Sequence, residues 1–195
     1  MTLVSFDALV EGLRSGRIAS FPTDTVPALA VRPEGSADLF ALKQRQATKP
    51  LILMGSRAED LWPYVAGTDA ERQQWDAWVR QHWPGALTLV LPAGPKLPPQ
   101  MNPTDPTTIG VRVPDCDIAR RVLAATGPLA TTSANRSGEP PLTEAADIDA
   151  AFEEVLVLSP KAYAPLSASG LPSTVVKWTG ENWQVLRQGS VQLSP

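Results

Sequence analysis

The sequence predicts an α/β protein built as one domain on a mixed β-sheet. Short apolar stretches with strand character alternate with stretches in which apolar residues recur at helical spacing, along most of the 195 residues. This alternation is typical of α/β folds. Near the end, two strand-like stretches follow one another directly, at 174–178 and 183–187. A hairpin of this kind favours a sheet that is mixed rather than purely parallel.

The first half of the chain begins with an amphipathic helix. Its apolar residues lie between Phe6 and Leu13, behind Ser5 as a candidate N-cap and before Gly16 as a candidate helix end. A polar corner, Pro22-Thr-Asp-Thr25, then separates two short strands. In order, we expect strands at 18–21 and 28–31, a helix at 37–44, a strand at 51–54, and helices at 61–65 and 69–82.

The second half continues the alternation after a loop that is dense in proline. Residues 92–106 should be irregular, as a lid or as a segment that wraps the domain. Four tryptophans, Trp62, Trp75, Trp78 and Trp83, are interpreted as core or groove-wall residues. The remaining elements expected are strands at 87–91, 108–113, 129–132 and 155–158, helices at 118–125 and 144–152, a loop at 159–172, and the two closing strands.

The composition excludes several classes of protein. A formal net charge of −3 argues against a protein that coats nucleic acid, although it allows a local basic pocket. With one histidine, His82, and one cysteine, Cys116, neither a Cys/His zinc site nor a disulfide framework is expected. We see no signal peptide and no apolar run long enough to span a membrane, so we expect a cytoplasmic protein.

A cationic segment, Lys43-Gln-Arg-Gln-Ala-Thr-Lys49, places three cations within seven residues where a helical pattern gives way to a strand. Arginine can grip a phosphate or carboxylate through two hydrogen bonds, and lysine adds a point charge. If the helix ends near Arg45, all three cations could converge on one anion. The alternative is a solvated helix end, where cations suit the helix macrodipole.

Polar clusters follow several of the expected strands, where α/β proteins commonly bind ligands. Ser133-Ala-Asn-Arg-Ser-Gly138 suits a nest of donors around phosphate oxygens, or an ordinary turn. Arg112 lies inside a strand, where an unpaired charge would be costly, and alternation places it opposite the apolar face. Together with Arg187, these cations and hydroxyl groups favour a polyanion and a second, smaller anion as ligands. Such a set suits catalysis by positioning and charge neutralisation better than covalent catalysis.

Seven short motifs stand in a fixed order between about residues 5 and 191. They are Phe21-Pro-Thr-Asp-Thr-Val26, Leu42-Lys-Gln-Arg with Lys49-Pro-Leu-Ile-Leu53, Trp83-Pro-Gly-Ala-Leu-Thr-Leu-Val90, Thr108-Ile-Gly-Val-Arg-Val-Pro114, Thr131-Thr-Ser-Ala-Asn-Arg-Ser-Gly138, Ser173-Thr-Val-Val176 and Leu186-Arg-Gln-Gly189. Together they resemble the successive motifs of the YrdC family, the threonylcarbamoyl-AMP synthases, in its short bacterial form. The Lys-x-Arg and Ser-Ala-Asn-x-Ser-Gly blocks are the most specific part of the resemblance.

The resemblance implies a twisted open mixed sheet with a large, positively charged concave face, and an enzyme that joins L-threonine, bicarbonate or CO2, and ATP. The products would be threonylcarbamoyl-AMP and pyrophosphate, for modification of tRNA by separate transfer proteins. ATP binding is implied for Lys43, Arg45, Lys49, Thr108, Ser133, Asn135 and Arg187. Threonine binding is implied for Thr25, Arg112, Thr131 and Ser173. Mg²⁺ would arrive with ATP, held mainly by the phosphates.

The chain departs from the family pattern at Pro27 and Ala28, where an aromatic residue and glycine are usual. Two other functions are considered. One is a YrdC-type module that binds double-stranded RNA or ribosome precursors without turnover, against which the net charge weighs. The other is a related carbamoyl-adenylate enzyme with a different substrate.

Overall fold

The computed structural model describes residues 3–44 and 49–193, which form one ten-stranded sheet with helices on both faces. The strands are β1 (Leu3–Val4), β2 (Ala19–Phe21), β3 (Ala28–Val31), β4 (Ile52–Met54), β5 (Leu87–Pro92), β6 (Thr108–Arg112), β7 (Leu129–Ser133), β8 (Leu156–Leu158), β9 (Thr174–Trp178) and β10 (Trp183–Arg187). The helices are α1 (Phe6–Arg14), α2 (Ser36–Lys43), α3 (Ala58–Leu61), α4 (Asp69–His82), α5 (Asp117–Thr126) and α6 (Ala145–Ala151).

The sheet is mixed, as predicted. Its strand order is β1-β8-β2-β3-β7-β4-β6-β5-β9-β10. Four neighbouring pairs are parallel, namely β1 with β8, β8 with β2, β4 with β6, and β5 with β9. The other neighbours are antiparallel, including the closing hairpin of β9 and β10. The order places strands that are distant in sequence side by side at the centre of the sheet.

Alternation along the central strands divides the core into two layers. In β3, Leu29 and Val31 belong to one buried cluster, whereas Ala28 and Ala30 belong to the other. Such alternation follows from the period-2 geometry of a strand. Helices α2, α4 and α6 supply side chains to the first layer, and α1 and α5 supply the second. No helix in the described ranges is long and apolar enough to cross a membrane.

The bounds of α1 follow the capping signals read in the sequence. Ser5 caps α1 by accepting a hydrogen bond of 3.3 Å from the amide of Ala8. Helix α3 ends earlier than expected, because the chain continues through Pro63 as a short 3-10 turn. The sequence prediction missed β1, whose two residues pair with β8. Two residues are too few to carry a periodic signal.

Residues 92–106 wrap the domain and form no lid over the cavity described below. Leu97 and Met101 from this segment are buried in the first core layer. The amide of Leu51 donates to the carbonyl of Met101 at 2.9 Å, which ties the segment to the start of β4. The tryptophans behave as expected, since Trp75 is fully buried and Trp62, Trp78 and Trp83 are half-buried against the core.

Glu71 fastens α4 to the sheet. Its carboxylate accepts hydrogen bonds from the amide and the hydroxyl of Thr68, both at 2.9 Å, and from the indole of Trp178 on β9 at 3.0 Å. Thr68 accepts in return from the amide of Glu71, which completes a capping box. The amide of Thr68, then the indole, lowers the pKa of Glu71 below its ordinary value of 4.5.

Glu71→Gln should lower the melting temperature at pH 7, because an amide nitrogen cannot accept the hydrogen bonds that the carboxylate accepts. A depressed carboxyl pKa stabilises the fold above the ordinary pKa and ceases to do so as pH falls through the folded pKa. The gap between wild type and variant should therefore close as the pH is lowered below 4.5. Thermal melts at pH 7 and at a pH below 4.5 test this, with Glu59→Gln on α3 as the control. An equal gap at both pH values would contradict it.

Candidate functional site

One face of the central strands forms the floor of a cavity of about 370 Å³. Register places Ala28 of β3 beside Ser133 of β7, and Met54 of β4 beside Arg112 of β6. The cavity brings together nine of the predicted site residues: Thr25, Lys43, Lys49, Arg112, Thr131, Ser133, Asn135, Ser173 and Arg187. The cavity is also lined by Pro27, Ala28 and Glu139.

Two predicted site residues are not among those that line the cavity, for different reasons. Arg45 is outside the described residues. Thr108 begins β6, about 13 Å from Arg112 at the usual rise of ~3.3 Å per strand residue. Its hydroxyl donates to Asp105 at 3.0 Å and accepts from Asn102 at 3.2 Å. Thr108 does not line the cavity, and these contacts give it a role in holding the loop before β6.

Arg112 is held at the cavity by three different groups. Its Nε donates to the carbonyl of Gly85 at 2.9 Å, Nη1 to the hydroxyl of Thr25 at 2.9 Å, and Nη2 to Asp24 at 2.6 Å. Arg112 is 2% exposed, and it lies opposite the apolar residues Ile109 and Val111, as predicted. Burial lowers its pKa, and the charge of Asp24 opposes that shift. These contacts use three of the five guanidinium N–H groups.

The Pro22-Thr-Asp-Thr25 corner supplies two of those partners. The hydroxyl of Thr23 donates to the carbonyl of Val26 at 2.7 Å and accepts from the amide of Thr25 at 3.1 Å. The hydroxyls of Thr23 and Thr25 lie 3.0 Å apart. These short-range bonds give the turn a fixed shape, and both threonines are buried.

Lys43 ends α2 and turns its side chain inward. Its ammonium donates to the carbonyl of Ser133 at 2.6 Å and to the side-chain oxygen of Asn135 at 2.8 Å. The residue is 1% exposed, although it lines the cavity. A cation this deep needs strong hydrogen bonds to offset lost hydration. Lys43 therefore orders the segment after β7 as well as contributing charge.

The segment after β7 presents fewer free amides than a phosphate nest would need. The amide of Ala134 donates to the carbonyl of Pro27, that of Asn135 to Ser133, and that of Ser137 to Lys43. The Asn135 side chain accepts from the hydroxyl of Ser133 at 2.6 Å and donates to the carbonyl of Glu139. Side chains, rather than a run of amides, therefore face the cavity here.

Ser173 and Arg187 close the opposite side of the cavity. Arg187 donates to the carbonyl of Ser173 through Nε at 3.2 Å and Nη2 at 2.8 Å. The hydroxyls of Ser173 and Thr88, on the neighbouring strand β5, lie 2.8 Å apart. Burial lowers the pKa of Arg187. Ser173 is thus positioned from both sides, by a strand neighbour and by a cation.

Thr131 and Lys49 complete the set of predicted residues in the cavity. Thr131 donates its hydroxyl to the carbonyl of Ile52 across the β7–β4 pair at 2.9 Å. Lys49 is exposed at the rim, beside Pro50. Thr131 is therefore part of the rigid floor, whereas Lys49 stands where solvent and ligands enter.

Cations dominate the charge of the cavity. Four of its lining residues are basic, namely Lys43, Lys49, Arg112 and Arg187, and one is acidic, Glu139. Such a set can hold a polyanion and neutralise charge that develops on a leaving group. Among the described residues, no group of three or more His, Cys, Asp or Glu could hold a metal ion.

Sequence reasoning included three residues in its polar clusters and motifs without assigning them the roles by which they organise this site. Asp24, Thr23 and Thr88 do not line the cavity, yet each contacts a residue that does. Asp24 and Thr23 could have been suspected, because they stand in the corner that carries Thr25. Thr88 stands in the motif at 83–90, but nothing in the sequence points to its partner Ser173, which is 85 residues away.

Comparison with known proteins gives a consistent result. The family model Sua5/YciO/YrdC, described as telomere recombination, matches residues 11–189. A protein of Chromohalobacter salexigens named threonylcarbamoyl-AMP synthase is 38% identical over 85% of this chain and 88% of its own length. A protein of the same name from Vibrio campbellii is 30% identical over 95% of this chain and 99% of its own.

A solved structure is also similar to this chain. The crystal structure of P. abyssi Sua5 complexed with L-threonine matches with a TM-score of 0.82 and 29% identity, over 94% of this chain. This chain spans 54% of the length of that Sua5 chain.

Proposed function

Because this chain belongs to the Sua5/YciO/YrdC family, we propose that it is a threonylcarbamoyl-AMP synthase, an enzyme of the nucleotidyltransferase class. Two relatives of that name are 38% and 30% identical to it over most of both chains. The observation that carries the proposal is the cavity, which combines four cations with hydroxyl groups on a rigid strand floor. This set suits one polyanionic substrate and one small substrate with a carboxylate.

The proposed reaction has two bond-forming steps. The amine nitrogen of L-threonine attacks the carbon of CO2 and loses a proton, which gives a carbamate. A carbamate oxygen then attacks the α-phosphorus of ATP, and the bond from that phosphorus to the bridging oxygen breaks as pyrophosphate leaves. Negative charge grows on the leaving group, so fixed cations nearby lower the barrier. No covalent intermediate with the protein is needed.

The residues divide between the two substrates. Lys43, Lys49 and Arg187 line the cavity and would meet the phosphates, together with Arg45 of the same cationic segment. Arg112 would meet the threonine carboxylate through N–H groups not used by Gly85, Thr25 and Asp24. The solved relative with bound L-threonine supports an amino-acid substrate.

We propose that Mg²⁺ enters bound to the phosphates of ATP. A lone glutamate, Glu139, lines the cavity among the described residues, and one carboxylate is too few for a site that takes Mg²⁺ by itself. The product would pass to separate proteins that transfer the threonylcarbamoyl group to tRNA. The protein would therefore act on tRNA only through those transfer proteins.

Purified protein should release pyrophosphate from ATP only when L-threonine and bicarbonate are both present. The physical reason is that the carbamate oxygen is the nucleophile, and it forms only from both substrates. A coupled pyrophosphate assay with each component left out in turn measures this. Replacing L-threonine by L-serine, L-valine and glycine tests the effect of Pro27 and Ala28 on the amino-acid pocket.

Two results would contradict the proposal. Equal release with another amino acid would identify a carbamoyl-adenylate enzyme with a different substrate. No release under any condition, with salt-sensitive binding of double-stranded RNA, would identify a binding module.

A further inference from the structure

The hydroxyl groups of the Pro22-Thr-Asp-Thr25 corner form a chain whose proton directions can be assigned. Thr23 has one hydroxyl proton, and the carbonyl of Val26 at 2.7 Å can only accept it. The bond of 3.0 Å between the two threonine hydroxyls must then have Thr25 as donor. Both lone pairs of Thr23 are filled, one by this proton and one by the amide of Thr25 at 3.1 Å.

The same count fixes what Thr25 can offer to a ligand. Its only hydroxyl proton goes to Thr23, and one of its two lone pairs accepts Nη1 of Arg112 at 2.9 Å. One lone pair remains. Thr25 lines the cavity, so this lone pair is the group it can present to a substrate. Thr25 can therefore accept a hydrogen bond from a ligand but cannot donate one.

From this geometry we propose that Thr23 is a positioning residue that makes Thr25 an acceptor for the amine of the amino-acid substrate. This inference rests on the proposed function. A neutral amine has two N–H groups and one lone pair, and the lone pair must attack CO2. An oxygen that only accepts binds an N–H and leaves the lone pair free. A hydroxyl free to donate would instead bind the lone pair and block the attack.

Thr23 has no other route to the substrate. It is 1% exposed and does not line the cavity, so its hydroxyl acts on threonine only through the two lining residues that it contacts, Thr25 and Val26. Of these contacts, the one with Thr25 is the one that reaches a side-chain group able to meet the amine. Its methyl and hydroxyl groups can be separated by substitution. Valine keeps the shape and removes the hydroxyl, whereas serine keeps the hydroxyl.

Thr23→Val should lower kcat/KM for L-threonine by about tenfold, the range for one hydrogen bond, with the KM for ATP unchanged. Thr23→Ser should restore the wild-type value. The amine can be isolated with 3-hydroxybutyrate, an analogue of threonine without the amino group, used as a competitive inhibitor. Its Ki should be the same in wild type and Thr23→Val, because it lacks the group that Thr25 accepts.

Three outcomes would overturn the assignment. One is an unchanged kcat/KM for threonine in Thr23→Val, and another is a parallel loss of 3-hydroxybutyrate binding. If Thr23→Val does not fold, Thr25→Val gives the third, because an unchanged kcat/KM for threonine in that variant would mean that Thr25 does not act on the amine. A wild type without threonine-dependent pyrophosphate release would overturn the proposed function itself, which keeps the two failures apart.

Discussion

Arg112→Ala should lower kcat/KM for L-threonine roughly 30- to 5000-fold, which corresponds to about 2–5 kcal/mol. The Kd for ATP should be nearly unchanged. The side chain is buried and three of its N–H groups already hold it in place, so its remaining donors are pre-oriented for a carboxylate. Arg112→Lys keeps the charge and loses the fork. It should raise the threonine requirement by a smaller factor.

The ion pair with Asp24 means that Arg112 also supports the fold. The two side chains are 3% and 13% exposed, so truncating Arg112 leaves a largely buried carboxylate without its partner. We expect the free energy of unfolding to fall by about 3–5 kcal/mol. Thermal melts must therefore accompany the threonine titration, and the titration is done on the folded fraction.

Asp24→Asn is the matched control. It keeps an oxygen acceptor for Nη2 of Arg112 and removes the charge that competes with a substrate carboxylate. Threonine use should be retained in this variant. A purely structural role for Arg112 predicts a lower melting temperature in Arg112→Ala with an unchanged threonine KM, and that result would remove Arg112 from the site.

Lys43→Met should weaken ATP binding by about 1.5–3 kcal/mol, or roughly 10- to 150-fold, the range for hydrogen bonds to a charged group. Methionine keeps most of the length of the side chain and loses the ammonium. Ser133 and Asn135 then lose the donor that orders them. The melting temperature should fall as well, because the carbonyl of Ser133 and the side-chain oxygen of Asn135 each lose a hydrogen bond to a charged donor.

Lys49→Ala separates the charge effect from the structural effect. Lys49 is exposed at the rim of the cavity, so its removal should weaken ATP binding with little change in the melting temperature. Arg45→Ala should likewise weaken ATP binding. Calorimetry in which Lys49→Ala and Arg45→Ala bind ATP like the wild type would restore the interpretation of a solvated helix end for these two cations.

Local signals predicted most of the fold. Helix α4 has the predicted bounds, because Thr68 with Glu71 forms a capping box ahead of it and Trp83-Pro84 follows it. Strands β9 and β10 also have the predicted bounds, because both contain β-branched and aromatic residues. Strand order was beyond reach, since pairs such as β5 with β9 depend on contacts between distant parts of the chain. Strand β1 was missed because its two residues carry no periodic signal.

Site residues that belong to the motifs could be predicted from the sequence. Contacts between site residues that are far apart in the sequence could not. The motifs assigned Lys43, Ser133 and Asn135 to the same binding site, and these residues contact one another. Alternation alone placed Arg112 opposite the apolar face. Its ion pair with Asp24 could not be read from the sequence, because nothing local joins residues 88 positions apart.

Three of the contacts that organise the cavity close long loops. Arg112 with Asp24, Lys43 with Asn135, and Thr88 with Ser173 join residues separated by 88, 92 and 85 positions. Loop-closure entropy opposes such contacts until most of the sheet has assembled. A partly folded chain therefore has no binding site, and ligands select the native state alone. Saturating ATP and L-threonine should raise the melting temperature by mass action, making ligand binding a probe of complete folding.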